Sequence, residues 1–453
     1  MSALDQQLPT QPRVHRRHRA LRIAGIVTTG VLALTVSSVL ANTAITAAEK
    51  AHLAPYGQTV ALAEGDINVY RNGGTGPTMV LLNGYGTPAP GVDFAPLLRE
   101  LAAFNVIVIE GFGYGYSDLD VPNRTVENIT GEIHEVLIRL GVHEPVILAG
   151  HSIGGIYTRY YANAYPGEVS AIIGIDPTPA TASTLEVGTA SRMEAVVGAL
   201  GLYRWVTSLA PDLIQPPGTA YTPAERERTA AMSKWNYGSL SIADEWAQLA
   251  ANSTKTAAHP FPANIPVLEF LSSESVASIP GWLEKHQREL DTVTTHELQI
   301  VTGAHYLHWT QAPLLGQAIS SFVAAHVPAA PHIIVQITHE NVPHIHHVDR
   351  VTVRDLGYSD DGIVHITVRV GFSDSQDIPK GLALAIGKTP ELDVDPEQAA
   401  YFLSLLDVHA SDPSMKAWRI RLFAWMAHAT ANRTEALHLP PERTVVIGSR
   451  LDL

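Results

Sequence analysis

From Gln58 onward the chain alternates short apolar runs with longer amphipathic stretches, and this alternation limits the folds open to it more than any other feature. The apolar runs lie at 78–82, 106–109, 146–149, 171–175, 266–271 and 298–301. Runs that are apolar throughout, rather than at every second position, suit parallel strands buried on both faces. Residues 92–104 and 126–141, and the stretch IYTRYYANAYPGEV after the third run, read as helices between them. Strands alternating with helices predict an α/β domain over about 58–326, with a mostly parallel sheet covered on both sides. Between about 177 and 262 the alternation stops. That region is helix-like and carries Trp205, Trp235 and Trp246, so a helical insertion, or lid, is expected over the sheet. The stretch VPAAP at 327–331 reads as a boundary, and residues 332–453 have a different texture. There 351–354 and 363–370 alternate as half-exposed strands around a turn at Asp360-Asp361-Gly362. MKAWRIRLFAWMAHATAN, from Met415, reads as an amphipathic helix, and together these predict a small α+β domain.

The N-terminus constrains placement. Arg13, Arg16, Arg17, Arg19 and Arg22 precede an uncharged stretch from 23 to 48. About 20 apolar residues span a bilayer as a helix, and the flanking arginines stay on the cytoplasmic side. Residues 1–22 are therefore expected in the cytoplasm, 23–48 as a transmembrane anchor, and the remainder outside. The alternative is a secretory signal cleaved near Val39-Leu40-Ala41, which would release the protein. The chain has no cysteine, so disulfides, a thiolate metal site, a lipoprotein anchor and a cysteine nucleophile are excluded. A formal net charge of -14 argues against a nucleic-acid partner, which needs a basic surface.

The run at 146–149 leads into LAGHSIGG, which puts Ser152 at a sharp strand-to-helix turn between Gly150 and Gly154. This G-x-S-x-G pattern presents a hydroxyl above a sheet and leaves backbone N–H groups free beside it. A serine hydroxyl needs a base, an acid to orient that base, and donors for the oxyanion. His305, in VTGAHYLHWTQAP after the last strand, is the candidate base among 21 histidines, with His308 as its neighbouring competitor. Asp176, at the end of the run 171–175 and followed by Pro177, is the preferred acid; Glu274, after the run 266–271, is the alternative. The oxyanion donors are expected to be the N–H groups of Ile153 and Tyr85, the latter in the loop Asn83-Gly84-Tyr85-Gly86. This chemistry needs a small-molecule substrate and no cofactor.

Residues of about 58–326 resemble the α/β-hydrolase family, through LLNGYGTPAP, VIVIEGFGYGYSDLD, the LAGHSIGG elbow, AIIGIDPTPA and GAHYLHWTQAP in family order. The resemblance implies acyl transfer, most simply ester hydrolysis. Serine rather than aspartate at 152 departs from the relatives that cleave haloalkanes or epoxides through a carboxylate. Asn83 also departs, standing where the family often has histidine. Residues 332–453 resemble the C-terminal domain of KUP-type potassium uptake transporters, through RVTVRDLG, ITVRVGF with DIPKGLALA, AAYFLS, MKAWRIRLFAWMAHATAN and LPPERTVVIGSRLDL. The transporters' many membrane spans have no counterpart here, so potassium conduction is not expected of this chain. The second resemblance implies a transporter partner and a regulatory role as the alternative function. In those transporters the domain is cytoplasmic, opposite to the side the arginine rule assigns here; the arginine argument is preferred. The histidines of HENVPHIHH (His339, His344, His346, His347) are expected to be solvated rather than to bind metal.

Overall fold

The computed structural model describes residues 14–180, 190–327, 332–346, 349–355, 363–388, 399, 401–409, 437–440 and 444–452. They divide into two units, Met1–Pro328 and Ala329–Leu453.

The first unit is built on an eight-stranded sheet. Its strands are β1 (Gln58–Ala61), β2 (Asp66–Arg71), β3 (Thr78–Leu82), β4 (Asn105–Glu110), β5 (Val146–His151), β6 (Val169–Ile175), β7 (Val267–Ser272) and β8 (His296–Val301). The order across the sheet is β1-β2-β4-β3-β5-β6-β7-β8. β1 and β2 pair antiparallel, as do β2 and β4, and every pairing from β4 to β8 is parallel.

The continuous apolar runs are explained by two cores. Val80, Leu82, Ile107, Ile109, Val146 and Leu148 face one of them. Met79, Leu81, Val106, Val108, Ile147 and Ala149 face the other. Side chains alternate with period two, so a strand covered on both faces must be apolar at every position. Leu148 is fully buried on the central strand β5. Leu148→Ala is expected to destabilise this unit by about 2–5 kcal/mol, through lost transfer energy plus the cavity left behind. Urea denaturation checks this, and an unchanged midpoint would contradict the packing.

Two local readings change. The predicted helix over 92–104 is broken into Pro90–Asp93 and Ala95–Glu100. Pro96 has no N–H to donate to the Val92 carbonyl, so the first helix does not run on through it, and the proline sits in the opening turn of the second. The hairpin β1–β2 was not resolved from the sequence, because its strands are short and partly exposed at the sheet edge.

Between β6 and β7 the described chain is helical: Ala190–Ala199, Leu202–Leu209, a 3-10 turn at Pro211–Ile214, Pro223–Trp235 and Leu240–Ala257. Thr222 and Glu225 cap the fourth of these reciprocally.

The N-terminal helix Val14–His52 is continuous for 39 residues. Its part Leu21–His52 is long and apolar enough to cross a membrane, its most apolar 18-residue window having a mean hydropathy of 2.0.

In the second unit Ile363–Gly371 pairs antiparallel with Val351–Asp355 and parallel with His332–Glu340. Helix Ile378–Lys388 packs Leu382 and Ala385 against Val351, Ile366, Val368 and Val370. Tyr401–His409 and Thr444–Asp452 form a separate parallel pair. The helix expected from Met415 and the turn at Asp360-Asp361-Gly362 lie outside the described residues. Of the HENVPHIHH histidines, His344 holds Asp374 through Nδ1 at 2.9 Å and His339 meets Gln376 at 2.8 Å. His347 also lies outside the described residues.

Candidate active site

Four of the parallel strands deliver the site residues at their carboxyl ends, where ligands of open α/β sheets bind. Ser152 follows β5, Asp176 follows β6, His305 follows β8 and Tyr85 follows β3.

The elbow is tight because its glycines touch backbone. A Cβ on Gly150 would stand 2.5 Å from the Gly154 carbonyl carbon, and one on Gly154 would stand 2.9 Å from the Leu82 carbonyl oxygen. Ser152 takes φ of +53°, a left-handed conformation that a non-glycine residue rarely adopts. It is held there by its own N–H to the Ile175 carbonyl at 3.2 Å and by Thr178 N–H donating to its carbonyl at 2.8 Å. The hydroxyl itself makes no hydrogen bond among the described residues, and Ile153 opens the helix Gly154–Ala164 as its N-cap.

Asp176, also at positive φ (+42°), is completely buried. Its Oδ2 meets His305 Nδ1 at 2.6 Å. Oδ2 also accepts from Ser272 Oγ at 2.8 Å and Ser275 Oγ at 2.6 Å, while Oδ1 accepts from the Ser272 N–H at 2.9 Å. Burial by itself raises the carboxyl's pKa, but the His305, Ser275 and Ser272 hydrogen bonds outweigh it and hold the pKa below the ordinary value. Asp176 is therefore an anion locked in place. Glu274, the alternative acid, is exposed; its backbone N–H donates to the Gly303 carbonyl at 3.2 Å, and its carboxylate reaches no imidazole. The loop carrying His305 is tied to the end of β7 by this bond and by Gly303 N–H to Ser273 Oγ at 3.1 Å.

His308, the competitor, is buried elsewhere. Its Nε2 meets Asp93 Oδ2 at 2.6 Å, and Trp309 Nε1 donates to the other oxygen of the same carboxylate at 2.8 Å. The sequence left this pair unseen, since Asp93 lies 215 positions away from its histidine.

His151 was also missed. Its ring is fully buried, with centroids of His305 and Tyr306 at 4.8 Å and of His308 at 4.7 Å. Its Nε2 faces the His305 carbonyl oxygen at 3.3 Å, which steadies the residue carrying the candidate base. Burial, with the neighbouring His308 and His305, pushes its pKa well below the ordinary value. The sign of the consequence is fixed. The unfolded chain protonates this imidazole as pH falls through roughly 6.5, and the folded chain does not, so the stability it contributes is present above that pH and lost on acidification. Melting temperatures of wild type and His151→Asn between pH 8 and 5 test this. The wild type is expected to fall more steeply; parallel curves would contradict a neutral buried His151.

The candidate oxyanion donors have no other acceptor: neither the Tyr85 nor the Ile153 N–H donates a hydrogen bond among the described residues. The loop after β3 closes against the elbow, and a Cβ on Gly84 would stand 2.6 Å from His151 Nδ1 and 3.2 Å from Ser152 Cβ. This loop is steadied by residues that sequence reasoning did not single out. Gly86 N–H donates to Tyr114 Oη at 3.3 Å, and Tyr114 in turn donates to Glu245 of the insertion. Glu245 also accepts from Tyr157 at 2.5 Å, and its burial raises its pKa. Tyr85 itself packs on Trp246, with ring centroids 4.7 Å apart.

A family model described as the alpha/beta hydrolase family matches residues 79–355, more than half of the chain, and the chain belongs to that family. In the same polypeptide, residues 318–453 match a second model, the K+ potassium transporter C-terminal domain. A protein named for the potassium transport system, Kup, from Cutibacterium acnes, is 44% identical over 132 residues, 28% of this chain and 20% of that protein. The chain thus spans about a fifth of the length of such relatives. YbdG of Bacillus subtilis, an uncharacterized protein, is 29% identical over 210 residues, 45% of this chain and 64% of its own. Among solved structures, a thermophilic esterase from Thermogutta terrifontis is 19% identical, with a TM-score of 0.47, covering 60% of this chain and 99% of that one.

Proposed function

We propose that this protein is a membrane-anchored serine hydrolase that cleaves an ester or related acyl substrate, with the hydrolase unit (about 58–326) outside the cytoplasm. The observation that carries the reading is the 2.6 Å bond from His305 to the buried Asp176, made beside an elbow that holds Ser152 in a left-handed turn. With Nδ1–H donated to Asp176, His305 presents the lone pair of Nε2 as a base. Ser152 Oγ attacks the acyl carbon while its proton passes to Nε2. Charge accumulates on the former carbonyl oxygen, opposite the free N–H groups of Ile153 and Tyr85. The C–O bond to the leaving alcohol breaks and the alcohol takes the proton from His305. Water, deprotonated by the same nitrogen, then adds to the acyl-enzyme, releasing the carboxylic acid and restoring Ser152.

A panel of p-nitrophenyl esters of increasing acyl length tests the reading. Saturable release of p-nitrophenol from at least one of them is expected, and rates equal to buffer for all would oppose it.

A second reading has its own support in the match of residues 318–453 to a transporter domain. In it the chain is an accessory protein of a potassium transporter and the hydrolase unit is secondary. Potassium uptake by a deletion strain separates the two: impaired uptake that an inactive Ser152→Ala chain restores favours the accessory role.

A further inference from the structure

The lid helix Leu202–Leu209 packs inside out. Arg204 and Thr207 are buried, at 4% and 2% exposure, while Leu202, Trp205, Val206 and Leu209 stand exposed at 46%, 41%, 55% and 89%. The exposed four occupy positions i, i+3, i+4 and i+7, one continuous face, where a helix on a water-soluble surface places polar residues.

The buried side is turned toward the N-terminal helix. Arg204 donates to Asn42 Oδ1, Thr46 Oγ1 and Glu49 Oε1, each at 2.7 Å. Trp205 Nε1 donates to Ser38 Oγ at 2.8 Å, and Ser38 Oγ donates to the Leu200 carbonyl at 2.6 Å. Ser38, Asn42, Thr46 and Glu49 recur every three or four residues, so they line one side of the helix. The preceding turns expose Ile26, Val31, Leu32 and Leu34.

These contacts set a depth. The uncharged stretch 23–48 is longer than the roughly 20 residues a span needs; counted from just after Arg22, the span itself ends near Asn42, which Arg204 bonds. Ser38 lies four residues short of that end, about 6 Å at 1.5 Å per residue. Helices that lie in a membrane surface bury their apolar face by about 5–10 Å, and tryptophan is enriched at that level. Trp205, bonded to Ser38, stands at the same height.

We propose that the stripe Leu202, Trp205, Val206 and Leu209 is seated in the outer leaflet of the bilayer crossed by the N-terminal helix, so that the lid is a membrane-lying element. The occupant is the lipid surface itself, since the face adjoins the segment that the anchor reading puts in lipid. The inference rests on that reading.

The cysteine-free chain permits a clean test. Leu209→Cys and, separately, Leu32→Cys are labelled with a nitrobenzoxadiazole fluorophore in the full chain, reconstituted into phosphatidylcholine vesicles. Quenching is compared between doxyl-labelled lipid and aqueous iodide. Both positions are exposed, so neither change disturbs packing. Position 209 is expected to be quenched several-fold more by lipid labelled near the headgroup than by iodide. Quenching of 209 by iodide alone, with 32 still quenched by lipid, overturns the proposal and leaves the anchor standing. Absence of lipid quenching at both positions overturns the anchor reading and the proposal together.

Discussion

Ser152→Ala is expected to lower kcat for ester hydrolysis by about 10⁶-fold while leaving the fold intact. The side chain is half-buried at a turn and its hydroxyl makes no hydrogen bond that the fold uses, so truncation removes chemistry rather than packing. Unlike a change at Leu148, it leaves no cavity in the core. On the proposed mechanism, the N–H groups of Ile153 and Tyr85 and substrate binding remain, and a small residual rate is expected from them. Steady-state kinetics on whichever ester is turned over, with circular dichroism as the control for folding, reads the effect. A loss of less than about tenfold would mean that the reaction does not pass through this hydroxyl.

Asp176→Asn is expected to cost about 10⁴-fold in kcat. The carboxylate accepts from His305 Nδ1 at 2.6 Å and is fixed by two serine hydroxyls and one backbone N–H. An amide in its place presents an N–H donor to some of these donors and loses the charge that stabilises the imidazolium formed during the reaction. The imidazole is then free to take the tautomer with its proton on Nε2, which cannot accept from Ser152. KM should change little, because the residue is fully buried. Glu274→Gln is the companion measurement: its carboxylate is exposed and reaches no imidazole, so activity near that of the wild type is expected. Equal losses at both positions would contradict the assignment of the acid.

Much of this arrangement was legible in the sequence because the signals are local. Apolar runs mark buried parallel strands, and glycines four apart around a serine mark a turn with no room for a Cβ. The choice between Asp176 and Glu274 was not local. Each follows a strand of the same sheet, and only the three-dimensional course of the Gly303–His305 loop brings one of them to the imidazole. The hydroxyls of Ser272 and Ser275 looked like an ordinary helix start, which they also are: Ser272 caps the helix Ser273–Ser278 while donating to Asp176. Nor does the sequence show that His308 is fully buried against Asp93, whereas the His305 side chain stays partly exposed. The stripe Ser38, Asn42, Thr46 and Glu49 was hidden for another reason. Four small or polar residues leave the helix apolar enough to read as a span, and their partners Arg204 and Trp205 lie more than 150 positions away.

The central claim is that Ser152, activated by His305 and Asp176, is the nucleophile. The most direct measurement is reaction of the full chain with a fluorophosphonate probe, followed by mass spectrometry of its peptides. One phosphonate on the peptide carrying Ser152, absent from Ser152→Ala and strongly slowed in His305→Ala, is the predicted result. No adduct on the wild type, or equal labelling of Ser152→Ala, would contradict it.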